Sequence, residues 1–268
     1  MDIISIKDLT FRYGHKFIFD KFNLNIERGT WVTIAGPNGA GKTTLVKLLA
    51  GLEKNYSSIK ILGKTLEKKN LTFIRKDVGY VFDVPDNFFA CETVEDELAF
   101  SLENLAVFPS TIKMKIKQIS ELLDLTDLLK KNPYSLSGGE KQKLLLGCAL
   151  MLEPRIIVLD EALMMIDINE RKKIYKILKD YCKTKKVTIV SFTHNLEEAP
   201  YSDRLIALNE GKIVIDGPFP EVFEEENVMR KMGIEVPFEV ELSQKLKVLE
   251  LTDHLYMDMG KLVKDLWK

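Results

Sequence analysis

A chain of 268 residues carrying 39 Lys and Arg against 40 Asp and Glu has a formal net charge of -1, which argues against a polyanion such as nucleic acid as its primary partner. With 46% hydrophobic and 29% charged residues, it falls outside the disordered, collagen-like and disulfide-scaffold classes. Its three cysteines, Cys91, Cys148 and Cys182, are odd in number and lack metal-ligand spacing, and read as reduced, buried thiols.

Residues 1–7 have neither the basic region nor the apolar core of a secretory signal, so a cytoplasmic chain is expected. The apolar run at 144–152 is far shorter than the ~18 residues a membrane span needs, leaving only peripheral membrane contact.

Residues 3–9 alternate as a strand does, and Phe17, Phe19, Phe22, Leu24 and Ile26 repeat the pattern, predicting two antiparallel strands. Residues 30–35 form a short β-branched run of the kind buried in a parallel sheet. The period then changes: Leu45, Leu48 and Leu49, with Gly51 beyond, predict a helix from Lys42 and its stop. Residues 93–129 carry apolar side chains at three-to-four spacing and are expected to be helical. Strands at 156–159 and 187–192 alternate with helices around 141–151 and 170–181, the rhythm of a parallel sheet covered on both faces. Residues 205–208 and 212–216 predict a closing hairpin over Asn209-Glu210-Gly211. The fold class is α/β. Residues 219–268 read as an appendage in which Leu246, Leu249, Leu262, Val263 and Leu266 make an apolar face, for its own domain or for a partner. Lys68-Lys69 and the lysines at 183–186 read as solvated loop charge.

Residues 36–44, Gly-Pro-Asn-Gly-Ala-Gly-Lys-Thr-Thr, match G-x-x-x-x-G-K-[ST] between a predicted strand and a predicted helix. In such a loop Gly36, Asn38, Gly39, Ala40 and Gly41 turn backbone N–H groups toward phosphate oxygens, and the helix N-terminus at Thr44 adds its dipole. Lys42 is expected to reach the β- and γ-phosphates and Thr43 to place its hydroxyl on Mg²⁺. A nucleotide is the expected ligand. Downstream, the apolar strand at 156–159 ends in Asp160 and Glu161, which alternation along a strand points in different directions. Asp160 is expected to support the metal and Glu161 to orient or deprotonate the attacking water. His194, at the end of another buried strand, is a candidate γ-phosphate contact.

Leu136-Ser137-Gly138-Gly139-Glu140-Lys141-Gln142 resembles the signature sequence of ABC-type ATPases, and the order of all these elements is similar to that family over residues 1–218. The resemblance implies a P-loop ATPase core of ABC type with an N-terminal antiparallel β subdomain, a mostly parallel central sheet, a helical subdomain at about 93–150 and a small C-terminal extension at 219–268. It implies that ATP lies between one chain's cradle and another's signature, so that Ser137, Gly138, Gly139 and Asp167 complete the partner's site. Tyr13 would stack on adenine.

Residues 80–89 and 93–100, and Gly-Ile-Glu-Val-Pro-Phe at 233–238, are similar to the ATPases of energy-coupling factor transporters, which import vitamins and metal ions. That resemblance implies a second ABC ATPase subunit, related or identical, a transmembrane coupling protein, a separate membrane substrate-binding protein, and a place on the cytoplasmic face of the membrane. Two positions depart from the pattern. Asp83 stands where the family usually has a Gln that contacts Mg²⁺, and Met164 stands where a hydroxyl is common. Three readings follow: an ATPase driving transport, a nucleotide-gated subunit with a slow or degenerate site that mainly supports assembly, and a soluble ABC ATPase acting on nucleic acid or the ribosome.

Overall fold

The structure, a computed structural model, describes residues 1–53, 58–222, 236–252, 254–256 and 259–267. Strands β1 (Asp2–Tyr13) and β2 (Lys16–Glu27) pair antiparallel, as their alternation predicts. Their buried positions change phase midway, from Ile4 and Ile6 to Leu9 and Phe11 in β1, and from Phe19 to Phe22, Leu24 and Ile26 in β2. Asp8 (φ 48°) and Lys21 (φ 51°) take left-handed backbone at these points, where the register shifts. Each is an extra residue of a bulge that returns the following apolar side chains to the core. Asn23 clasps the bulge by accepting from the Asp8 N–H at 3.0 Å and donating to the Lys21 carbonyl at 2.8 Å.

β4 (Ile59–Ile61) and β5 (Lys64–Thr65) complete a four-stranded sheet in the order β2-β1-β4-β5. A six-stranded sheet follows the order β10-β9-β3-β8-β7-β6, formed by β3 (Trp31–Ala35), β6 (Val78–Val81), β7 (Ile156–Asp160), β8 (Thr188–Thr193), β9 (Arg204–Asn209) and β10 (Lys212–Gly217). All its pairings are parallel except the β9–β10 hairpin. β4, β5 and β6 have three, two and four residues, too short for a period to show in the sequence.

Both faces of the larger sheet are buried, by different layers. Trp31, Ile157, Leu159 and Ile189 belong to a core shared with α3 (Val94–Asn104), α4 (Pro109–Leu122), α5 (Gly138–Met151) and α6 (Ile168–Lys185). The alternating positions Val32, Ile34, Val158 and Val190 belong to a second core with α1 (Lys42–Leu49), α2 (Leu71–Lys76) and the antiparallel sheet. This two-sided burial explains why these strands read as continuous apolar runs.

Several expectations need correction. The span 93–129 is helical, as expected, but as separate helices: α3 ends near Leu105, Ala106 takes φ 54°, and Pro109 opens α4. Lys183 and Lys185 lie in the last turn of α6, not in a loop, where cations suit the carbonyl end of the helix dipole. Cys182 is buried, but Cys91 and Cys148 are only half-buried. Leu246, Leu249, Leu262, Val263 and Leu266 do not share one buried face. Leu262 is buried, while Leu249 is 65% and Val263 45% exposed. Val240, in the helix Phe238–Val248, is fully buried in a cluster with Leu205, Ala207, Phe219 and Val222. Of the segment 233–238, residues 233–235 lie outside the described residues.

Candidate functional site

β3, β8 and β7 are adjacent and parallel, so their C-terminal ends lie side by side, with Ala35 opposite Thr193 and Asp160 opposite Phe192. Parallel sheets place ligands in the crevice beyond such ends. Residues 36–44 leave β3 here and enter α1. Gly36 passes so close to β9 that a Cβ would lie 2.2 Å from the Leu208 carbonyl oxygen, so no side chain fits. Gly41 turns the chain into α1 at φ 109°, against the Phe19 ring, and offers no side chain to cap the helix. The first-turn N–H groups of a helix have no intrahelical partner, and this loop presents them at the strand ends. The Gly211 N–H donates to the Ala40 carbonyl at 2.9 Å, so the β9–β10 turn braces the loop.

Lys42 is buried, and its Nζ donates to the Gly36 carbonyl at 2.7 Å and the Pro37 carbonyl at 3.2 Å. Burial holds its pKa below the usual lysine value, an effect opposed by Glu161 and Asp160. Nζ lies 3.7 Å from Glu161 Oε1. Glu161 lies one residue past β7, and its N–H donates to the Phe192 carbonyl at 2.9 Å. Its direction is set by a left-handed backbone, φ 48°, and not by strand alternation, which corrects the reason for expecting it to diverge from Asp160. On the other carboxylate oxygen, His194 Nδ1 lies 2.7 Å from Glu161 Oε2.

Asp160 closes β7, is buried, and its Oδ1 has no protein partner. Burial, then the charges of Asp83 and Glu161, push its pKa up to about 6, against the pull of Lys42 and Lys47. A buried carboxylate oxygen left unpaired is costly unless a ligand meets it. Asp160, Thr43 and Asp83 line one open cleft of about 540 Å³, whose apolar wall includes Tyr80, Phe82 and Phe88. Phe82 and Phe88 stack with centroids 4.8 Å apart. Tyr13, half exposed at the end of β1, donates its hydroxyl to Glu53 at 2.8 Å and is also hydrogen-bonded with Thr44, which sets it beside the start of α1.

Ser137 opens α5 with a capping box: its Oγ accepts from the Glu140 N–H, and its own N–H donates to Glu140 Oε2 at 2.7 Å. These bonds hold Glu140 below the usual carboxylate range. A side chain on Gly138 or Gly139 would first meet Met165, at 2.9 Å and 3.1 Å. The signature segment thus packs on the 163–167 loop, whose Asp167 caps α6 by accepting from the Asn169 N–H. Three bonds escaped the sequence reading. Lys141 pairs with Asp86 at 2.6 Å, Gln142 Oε1 accepts from the Met165 N–H at 2.8 Å, and Arg171 pairs with Glu197 at 2.6 Å. Each joins residues more than twenty positions apart, and no local motif marks them.

The description "ABC transporter" fits residues 19–164 as a family match. The energy-coupling factor transporter ATP-binding protein EcfA1 of Leuconostoc mesenteroides is 36% identical over 264 residues, covering 97% of this chain and 96% of the relative. Among solved structures, cbiO1 from Clostridium perfringens, described as part of the ABC transporter complex cbiONQ, superposes with a TM-score of 0.76 at 28% identity, over 88% of this chain and 96% of that one. The ATP-binding cassette MJ0796, as a dimer in a post-hydrolysis state with ADP and Pi, matches with a TM-score of 0.73 at 25% identity, over 81% of this chain and 98% of that one. Likeness that runs nearly end to end in both sequences settles the family: this chain is one of the ABC transporter ATP-binding proteins, in their energy-coupling factor group.

Proposed function

We propose that the chain binds ATP with Mg²⁺ and hydrolyses it to energise import of a vitamin or a metal ion by a transporter of the energy-coupling factor type. The observation that carries this reading is Glu161, held between Lys42 and His194 at neighbouring strand ends. Around it each residue has a task. The backbone of Gly36, Asn38, Gly39, Ala40, Gly41 and Thr44 cradles the phosphates, and Tyr13 stacks on adenine. Lys42 leaves the Gly36 and Pro37 carbonyls for the β- and γ-phosphates.

The unpartnered Oδ1 of Asp160 in a cleft shared with Thr43 suits a hard cation that takes oxygen ligands. Thr43 and Asp160 would hold Mg²⁺, with Asp83 in the same cleft. When bound, the ion neutralises charge across the β- and γ-phosphates. Glu161 orients a water for in-line attack on the γ-phosphorus and takes its proton as the bond to the ADP oxygen breaks. His194 keeps that carboxylate in place through Nδ1 and leaves Nε2 for the γ-phosphate.

Ser137, Gly138, Gly139 and Asp167 serve the nucleotide of a second ABC ATPase subunit, a related chain or another copy. Support comes from the packing of Gly138 and Gly139 on Met165, in the loop that ends at Asp167, with Ser137 and Asp167 exposed, and from the dimeric relative. A transmembrane coupling protein and a separate membrane substrate-binding protein complete the assembly, with this chain peripheral on the cytoplasmic face. Among the described residues no helix is long and apolar enough to cross a membrane.

A second reading, a slow site that mainly supports assembly, is favoured by Asp83, which adds a third carboxylate near Asp160 and Glu161. Substituting Glu161→Gln separates them. The first reading expects turnover to fall by about 10²–10⁴ with ATP binding retained, as when a general base is lost. A wild-type rate already as low as that of the variant supports the second. Unchanged turnover from an active wild type removes Glu161 from its role.

A further inference from the structure

The 163–167 loop is held from below by one buried side chain. Arg171 Nη2 donates to the Ile166 carbonyl at 2.9 Å and the Met164 carbonyl at 3.3 Å, and Nε donates to Ile166 at 3.3 Å. Its Nη1 donates to Glu197 Oε2 at 2.6 Å. One planar guanidinium thus spans two loop carbonyls and a carboxylate, a pattern a lysine ammonium cannot reproduce. From above, the Gln142 side chain accepts from the Met165 N–H. The loop is pinned between the signature helix and Arg171.

The backbone entering that loop is unusual. Glu161 at φ 48° and Leu163 at φ 79° are side-chain-bearing residues in left-handed backbone two positions apart. Such conformations persist only where surrounding contacts impose them. Glu197, the acceptor of Arg171, lies three residues beyond His194 in a turn closed by Asn195, whose Oδ1 accepts from the Glu197 N–H at 2.9 Å. A closed circuit results: Glu161 to His194, along the chain to Glu197, across to Arg171, and back through the Met164 and Ile166 carbonyls to Glu161.

We propose that Arg171 is a positioning residue that ties the 163–167 loop to the Glu161–His194 pair, so that a subunit docking on the loop aligns the two for hydrolysis. The Arg171 bonds go to the Met164 and Ile166 carbonyls and to Glu197, away from the cleft that Thr43 and Asp160 line, so it acts through the turn that carries His194. A subunit that displaces residues 164–167 displaces Arg171, and with it Glu197 and His194. The inference rests on Glu161 and His194 being the hydrolytic pair.

Arg171→Met, Glu197→Gln and the double variant test it in the full chain, purified with its companion ATPase and membrane subunits. The readouts are kcat and KM for MgATP, affinity for the non-hydrolysable analogue AMP-PNP, and thermal unfolding. Losing a residue that orients a reacting group costs about 10–100-fold in activity, so Arg171→Met should lower kcat by that factor while KM and AMP-PNP affinity hold within about twofold. Glu197→Gln should lower kcat in the same direction. The double variant should be no slower than Arg171→Met, since coupled residues are not additive. Arg171→Lys should behave as Arg171→Met does.

An unchanged kcat, multiplying losses in the double variant, or parallel losses of AMP-PNP affinity and kcat would each overturn the proposal, the last two marking a merely structural role. If Arg171→Met does not fold, Glu197→Gln decides alone, by the same kcat-against-KM criterion. Glu161→Gln is run beside them. Full turnover there would bring down the reading on which the proposal rests, whereas its usual loss next to an undisturbed Arg171→Met would bring down the coupling only.

Discussion

Asp83 adds a second carboxylate to the cleft that Asp160 and Thr43 line. Its charge is the second cause, after burial, of the raised Asp160 pKa. A glutamine would remove that repulsion and supply an amide donor. Asp83→Gln should therefore raise steady-state ATPase turnover several-fold, and an equal or lower rate would show that the carboxylate sets no brake. The candidate cradle at residues 36–44 was legible because it is contiguous and each residue type answers to backbone approach or charge. Asp160 was legible as the last residue of an apolar run. Glu161 was found for an incomplete reason, since its left-handed φ, not alternation, turns it toward Lys42 and His194. Arg171 was not legible, because its carboxylate partner lies 26 residues away and nothing in its spacing announces it.

The elements were readable in proportion to their length. β1 and β2 have 12 residues each, and their change of phase is visible in the chain as Phe17 and Phe19 followed by Phe22, Leu24 and Ile26. Recognising it as a bulge needed the positive φ of Asp8 and Lys21. β4 to β6 carry too few residues for a pattern. The turn of residues 196–201, which follows His194, holds a feature no periodicity reveals: Glu198 is buried against β3 and β8, within 3.5 Å of the Thr33 hydroxyl. Burial pushes its pKa up to about 7, from 4.5, against the opposing bonds of Ser191 and Thr33.

The native state therefore holds this proton longer than the unfolded chain, so the contribution is full below pH 4.5, is lost as pH rises to about 7, and is flat above. Glu198→Gln, which keeps an oxygen for the same hydroxyls, should remove a loss on the order of 3 kcal/mol between pH 4.5 and 7. Thermal unfolding at pH 5 and pH 8 checks it by difference. The same pH dependence in wild type and variant would contradict a buried, protonated Glu198.

For the whole molecule, the contacts of the segment Ser137 to Gly139 run to the 163–167 loop instead of to the residues around Lys42. On the proposed function this chain holds its nucleotide at Lys42 on one side only, and the other side comes from another subunit. That expectation came from the order of the motifs. The exposed apolar side chains of the extension, Leu249, Val263 and Trp267 among them, were not predictable from helical spacing, because which face is covered depends on the neighbouring layer.

The most direct measurement is the mass of the Glu161→Gln chain by light scattering, alone and mixed with its companion ATPase, with and without MgATP. Blocked hydrolysis should leave a nucleotide-dependent dimer that disappears with EDTA and with the added substitution Lys42→Ala. Saturating ATP bound to a chain that stays at the mass of one subunit in both mixtures would contradict the account.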